Sequence, residues 1–493
     1  MTLKINEKRY AILLALLIII GAFLRFYHLD YNSLWLDEAF TRYAANHSLS
    51  GIWEIVSNKD LNNIALRFDP YNPPLFYYFE HFMVAFGQSE FVLRFIPALL
   101  GVLTIPVFYL IGKEFADKNT GLIMAALLTV SQFHVYYSQE ARAYSTMLFL
   151  FSVAFYFFLV SLRTSKIPPL ILFGVFSALT VWTHYYTIVP IALLFSFGLF
   201  WRVSLGRNGF QQIYRYALAP ITFLIICIPL VPLLGNLLFN RTSIPPLTWG
   251  IKGFEVPYQI FAVLSEYHNF VLALFLVLFV TGIFFTWRAD RLKASLLVSL
   301  LVIPIIISMY LAQKMSMDVR YLFYLFPFFF LGISLSLKPL SDLFRNKNAF
   351  SIIVVLFFLF QAPFLVSHYG RYYTDYSKED WRGISEMIDN TSSVGDFIFV
   401  IPYYTRIPFD IYYSNRSKGT FEFGVQNESD IIPVLSGLKY NQAYFVVTGH
   451  IRTADPTGST LQWLDNNTRL IGSTRDIELY ALNLSKNQSY RSI

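Results

Sequence analysis

Two adjacent carboxylates, Asp37 and Glu38, follow Trp35-Leu36. Such side chains can take a proton from a hydroxyl or offer hard oxygen ligands to a divalent cation. Acids are also favoured at any helix N-terminus, whatever the function. A second group is Asp69-Pro-Tyr-Asn72-Pro-Pro-Leu, whose proline pair opens a short aromatic helix containing Glu80 and His81. Asp69 is a third candidate cation ligand. The helix reads as lying flat on a membrane, with Glu80 and His81 either facing water or lining a site. A third group runs from Tyr136 through Glu140 and Arg142 to Tyr144. Arg142 offers a planar donor fork to a phosphate, or an ion pair to Glu140. The fourth group is Lys314 with Asp318-Val-Arg320-Tyr321, and His184 in Trp182-Thr-His184-Tyr-Tyr joins it. Arg320 at the start of an apolar run suits either snorkelling to headgroups or binding a lipid phosphate. His184 suits an interfacial hydrogen bond or a substrate contact.

The surrounding chain decides what positions these groups. Of 493 residues, 55% are hydrophobic and only 14% charged, against about a quarter charged in ordinary soluble domains. With 50 Phe, 33 Tyr and a mean hydropathy of +0.49, disorder and disulfide-stapled scaffolds are excluded. The single cysteine, Cys227, forms neither an internal disulfide nor a thiolate metal cluster. A net charge of +7 and a pI of about 9.1 fit lysines and arginines gathered in cytoplasmic loops better than nucleic-acid binding.

Apolar runs of about 20 residues give about eleven transmembrane helices. They lie near 9–28, 92–112, 119–134, 143–162, 168–184, 187–203, 216–235, 268–287, 294–312, 319–337 and 350–368, the third and fifth being short. The first follows Lys4, Lys8 and Arg9 but lacks a small-residue cleavage site, so it reads as an uncleaved anchor. With the N-terminus in the cytoplasm, short inner segments collect 16 basic residues against 8 on longer outer loops. The chain therefore divides into a transmembrane part, 1–368 with an outer loop at 29–91, and an extracytoplasmic tail, 369–493. In the tail, Lys378-Glu-Asp-Trp-Arg-Gly-Ile-Ser-Glu-Met-Ile reads as a helix start, and 396–402 and 443–450 as buried strands. A helix from Asp430 and another from Leu461 follow, and 475–483 alternates like a last strand. This pattern is that of a small α/β domain of about 115 residues.

All four polar groups fall on the outer face of this topology. Together, LDEAFT, DPYNPPLFYYFEHF, GQSEFVLRFIPALLG and YYSQEARAYS, in that order, resemble membrane glycosyltransferases of the GT-C fold. The similarity is to relatives of the dolichyl-phosphate-mannose protein mannosyltransferases and of the lipid A aminoarabinose transferase. It recurs at MDVRYLFYLFP and EDWRGISEMI. The resemblance implies a polyprenyl-phosphate sugar donor held in the bilayer, with Asp37 as catalytic carboxylate and Glu38 its neighbour. It also implies that the Glu140/Arg142 hairpin forms a second wall. Family members often carry His-Pro-Pro-Leu where this chain has Asn72-Pro-Pro-Leu, and Asn cannot take up a proton near neutral pH.

The expectation is an inverting transfer at the outer face to an acceptor hydroxyl on a lipid, glycan or protein. Asp37 acts as base, with Arg142, Arg320 or Lys314 on the phosphate and Asp69, Asn72, His81, Glu140, Tyr144, His184 and Tyr321 as substrate contacts. A divalent cation on Asp37, Glu38 or Asp69 stays open. A transporter or flippase of a lipid-linked sugar is the rival, although it favours ionisable groups at the bilayer midplane and paired repeats, which the sequence lacks. A non-catalytic membrane scaffold explains the tail but not the polar groups on one side.

Overall fold

The computed structural model describes residues 7–57, 72–164, 166–235, 250–265, 269–344, 348–413, 419–436 and 441–483. It divides into two compact units. The first comprises Met1–Tyr27, Tyr71–Phe79 and Arg94–Gly370, the second His28–Pro70, Glu80–Leu93 and Arg371–Ile493. Among the described residues, 28–57 and 80–93 thus belong to the same unit as the tail.

The first unit is helical. Among the described residues, nine helices are long and apolar enough to cross a membrane, from Glu7–Phe26 to Ala349–Thr374. Two shorter apolar helices, Lys118–Val130 and Ile167–Val181, correspond to the third and fifth runs of the sequence. The third run stops earlier than its hydropathy suggests. Ser131 ends it and caps the next helix, Gln132–Ser138, by accepting from the His134 N–H. Small residues bring helices into backbone contact where side chains would hold them apart. A Cβ on Gly282 would collide with the carbonyl oxygen of Gly332, so the helices Asn269–Ala289 and Phe326–Asp342 pack at those two positions.

The first helix is tied down at its C-terminal end. Fully buried Arg25 donates to the carbonyls of Gly21, Leu128 and Thr129, and its Nη2 lies 2.6 Å from Nδ1 of His134. A guanidinium only donates, so that imidazole nitrogen accepts. The Gln139 amide donates to the carbonyls of Leu24, Arg25 and Tyr27, groups a helix end leaves without intrahelical partners. These bonds fix the 132–144 hairpin within the unit.

The second unit contains a five-stranded sheet. Its strands are β1 (Phe397–Ile401), β2 (Phe421–Gly424), β3 (Gln442–Thr448), β4 (Arg469–Thr474) and β5 (Ile477–Asn483), in the order β2-β1-β3-β5-β4. The first three are parallel, and β5 and β4 close the sheet antiparallel. β1 is buried along its whole length, as a central parallel strand must be. Phe397, Phe399 and Ile401 pack one face with Ile431, Leu435 and Leu464, whereas Ile398 and Val400 pack the other with Trp381, Ile384 and Ile388. The helices Trp381–Thr391, Glu428–Ser436 and Ser459–Asn467 supply those layers. β2 and β4 were not expected from sequence. The last sequence-read helix also stops at Asn467, because Arg469 and Leu470 pair with Ala481 and Tyr480.

Candidate active site

The two carboxylates of the LDEAFT motif lie in the first turn of the helix Leu36–Ala45. Asp37 is half-buried and Glu38 fully buried, because the helix turns Glu38, Phe40, Thr41, Ala44 and Ala45 inward. Burying a carboxylate is costly unless it is paired and hydrogen-bonded. Glu38 Oε2 meets Lys378 Nζ at 3.2 Å, with Lys378 itself only 4% exposed, and accepts from the Trp35 N–H at 3.5 Å. The next residue, Glu379, uses both oxygens. Oε1 lies 2.8 Å from Nε2 of His450, and Oε2 accepts from the Trp381 indole at 2.7 Å.

Hydrogen bonds from the tail pin the approach to this helix. The hydroxyls of Tyr376 and Tyr412 accept from the N–H groups of Ser33 (2.9 Å) and Leu34 (2.7 Å). Ser33 Oγ donates to the Glu379 carbonyl and accepts from the Trp381 N–H. Asn32 Oδ1 accepts from the Ser377 N–H, and Glu90 binds Arg382 at 2.6 Å and the Tyr412 hydroxyl at 2.8 Å. Burial pushes Glu90 upward, but its bonds to Arg382 and Tyr412 prevail and its carboxyl titrates below the ordinary value.

Glu80 belongs to this unit as well. It is fully buried rather than facing water, and among the described residues neither carboxylate oxygen has a hydrogen-bond partner. Burial, with the charge of Glu38 adding to it, pushes its carboxyl well above the usual range and so favours the neutral form. His81, one residue on, points its Nδ1 to the carbonyl of Ala45 at 2.9 Å. For His450, burial works downward, but the Glu379 carboxylate and the charges of Asp37 and Asp476 outweigh it and raise the imidazole pKa.

In the first unit, three motifs far apart in sequence converge. The His184 ring lies 5.9 Å from Tyr144 and 5.5 Å from Tyr321, and the Arg320 guanidinium sits over both tyrosines at 5.6 and 5.9 Å. Tyr186 packs on His184 and Tyr321, and Tyr137 packs edge-on against Tyr144. Asp318 fixes the backbone at Arg320 by accepting its N–H and pairs with its Nε at 3.3 Å. Glu140 and Arg142 are buried in the hairpin leading to the helix Tyr144–Thr164, where the Arg142 N–H donates to the Glu140 carbonyl at 2.7 Å. Asn72 is half-buried just before Pro73-Pro74, and the following Leu75 N–H bonds the Trp182 carbonyl. Lys314 is exposed, and no described contact joins it to the aromatic group. Asp69 lies outside the described residues.

Sequence reasoning singled out Asp37, Glu38, Arg142, Tyr144, His184, Arg320 and Tyr321 as candidates, and the structure brings Tyr144, His184, Arg320 and Tyr321 together. That reasoning did not single out Lys378, Glu379 and His450 as site residues. Among the described residues, no three His, Cys, Asp or Glu side chains are assembled to hold a metal ion, and Glu38 is committed to Lys378.

The family model described as dolichyl-phosphate-mannose-protein mannosyltransferase matches residues 71–232. An uncharacterized protein of Aquifex aeolicus is 33% identical over 111 residues, a match spanning 22% of this chain and 21% of that protein. ArnT from Cupriavidus metallidurans in the apo state superposes with a TM-score of 0.58 at 11% identity, covering 98% of this chain and 99% of that one. The same protein bound to undecaprenyl phosphate gives 0.57 at 12% identity, covering 98% and 100%. The archaeal oligosaccharyltransferase AglB from Archaeoglobus fulgidus, in complex with an inhibitory peptide and a dolichol-phosphate, gives 0.53 at 12% identity, covering 98% and 75%. The chain is an integral membrane protein of the GT-C fold, which it shares with ArnT and AglB, and its residues 71–232 match the family model described as dolichyl-phosphate-mannose-protein mannosyltransferase.

Proposed function

We propose that this protein is a glycosyltransferase that moves a sugar from a polyprenyl-phosphate donor to an acceptor hydroxyl at the outer face of the cell membrane. The observation that carries the reading is the state of the LDEAFT carboxylates. Glu38 is consumed by a buried ion pair, while Asp37 beside it is half-buried in the first turn of a helix. A half-buried carboxylate on a rigid helix keeps contact with solvent, as a general base requires.

In the reaction, the acceptor oxygen attacks the anomeric carbon while the bond from that carbon to the phosphate oxygen breaks. The bonding pair leaves with the polyprenyl phosphate, and the hydroxyl proton passes to Asp37. Attack opposite the leaving group inverts the anomeric configuration. The leaving phosphate gains charge, so fixed cations lower the barrier. That role is assigned to Arg142 and Arg320, with Tyr144, His184 and Tyr321 shaping the surface around the second of them. The N-terminus is placed in the cytoplasm and the tail outside, following the basic residues of the inner loops.

Support from the comparisons is one of kind. ArnT has been solved with undecaprenyl phosphate and AglB with a dolichol-phosphate, so the shared fold accommodates polyprenyl phosphates. The test is release of free polyprenyl phosphate from a panel of undecaprenyl- and dolichyl-phosphate sugars, with and without a chelator. Release dependent on Asp37 supports the reading. No release with any donor, while a labelled lipid still crosses proteoliposome leaflets, replaces it with transport.

A further inference from the structure

The helix Gln132–Ser138 touches two elements remote from each other in sequence, the first helix Glu7–Phe26 and the short 3-10 stretch Val319–Leu325 that carries Arg320 and Tyr321. All three belong to the first unit. One contact is polar, where Nη2 of Arg25 meets Nδ1 of His134 at 2.6 Å. The other is aromatic, the His134 ring stacking on Phe323 with centroids 5.6 Å apart and planes at 20°. Phe133 and Tyr137 also reach Phe323, at 5.4 and 5.6 Å. Tyr137 in turn packs on Tyr144 at 5.1 Å, and the Arg320 guanidinium sits over the Tyr144 ring at 5.6 Å. Arg320 and Phe323 are thus seated on neighbouring rings of one hairpin.

Hydrophobic contact is non-directional, so a layer of rings does not by itself fix where each element stops. Hydrogen bonds to a charged group are directional and roughly twice as strong as neutral ones. Arg25 and His134 are both fully buried. The Arg25 charge is met by the carbonyls of Leu128 and Thr129, in the last turn of the helix Lys118–Val130, at the negative end of its dipole. Because a guanidinium only donates, Nδ1 of His134 is unprotonated and the ring is neutral. The imidazole therefore accepts from Arg25 and stacks on Phe323 at once. Phenylalanine would keep the stack without the acceptor.

We propose that Arg25 and His134 are positioning residues for Arg320. Through Phe323 they hold the Val319–Leu325 stretch in the place from which the Arg320 guanidinium meets the donor phosphate. The inference rests on the assignment of Arg320 to that phosphate. It gives a function to two buried polar side chains that the reaction itself does not use.

The test measures binding of radiolabelled undecaprenyl phosphate to the full-length protein in lipid nanodiscs. The variants are H134F, F323L, R320M, H134F/R320M and F323L/R320M. H134F weakens binding about tenfold, the size expected when a hydrogen bond to a buried charge is lost. F323L removes the ring stack and weakens binding in the same direction. Residues that act through one another are not additive, so neither change weakens binding further once Arg320 is methionine. Wild-type binding in H134F or in F323L overturns the proposal. So does an equal loss with and without Arg320, which makes the effect one of general packing. Where H134F fails to fold, the F323L cycle decides alone. Wild-type binding in R320M defeats the phosphate assignment itself, a failure distinct from that of the positioning claim, and the inference falls with it.

Discussion

Glu38 and Lys378 are separated by 340 residues in sequence and by 3.2 Å in space, with both side chains buried. Removing one member of such a pair leaves a buried charge without compensation, at a cost of about 3–5 kcal/mol. K378M therefore lowers the thermal denaturation midpoint substantially, while the double variant E38Q/K378M recovers part of the loss. A double-mutant cycle on melting of the purified protein measures the coupling. Strictly additive losses would show that the pair contributes nothing as a pair.

Glu80 and Glu90 predict opposite pH responses of stability. Glu80 has a raised pKa, so its contribution is complete below the unfolded carboxyl value near 4.3 and declines as pH rises toward the folded value. E80Q keeps the neutral shape and removes that decline, making the variant more stable than wild type at alkaline pH. Glu90 has a lowered pKa, so its contribution is present above the unfolded value and is lost as pH falls through the folded one. E90Q flattens the acid side instead. Melting curves from pH 4 to 9 check both signs.

The aromatic group around His184 gives Arg320 a fixed seat over two tyrosine faces. Replacing it with methionine weakens polyprenyl-phosphate binding on the order of tenfold to a hundredfold, the range expected for lost hydrogen bonds to a charged group. Lysine restores little, because it lacks the planar fork and stacks poorly. Competition by free undecaprenyl phosphate against a labelled donor reads this out. Unchanged binding in both variants would remove Arg320 from the donor site.

Gly282 faces the backbone of Gly332 with no room for a methyl group. G282A drives the helices Asn269–Ala289 and Phe326–Asp342 apart and destabilises the protein by about 1–3 kcal/mol. A lower melting midpoint with unchanged donor KM is the expected pattern.

Much of this architecture is legible in the chain because hydrophobic length is a strong signal in a membrane protein. The eleven apolar runs reappear as nine long helices and two shorter ones among the described residues. Asp37 and Glu38 stand out because acids are rare in such a sequence. Lys378, Glu379 and His450 do not, since a soluble tail is full of ordinary charges and only tertiary structure pairs them. Glu80 carried a readable clue. It lies four residues after Phe76 and three after Tyr77, on the face those buried aromatics share, so helical spacing already turns it inward. The strand β2 is four residues long and β4 is largely exposed, so neither shows the apolar run that marks β1 and β3.

The central claim is that Asp37 takes the proton in sugar transfer. Its most direct test compares wild type with D37N for release of polyprenyl phosphate from the donor that the panel identifies, alongside binding of undecaprenyl phosphate and thermal melting. The account predicts that D37N melts and binds as wild type does, while turnover falls by about 10²–10⁴-fold, the usual contribution of a general base. Turnover in D37N within a few-fold of wild type would contradict it.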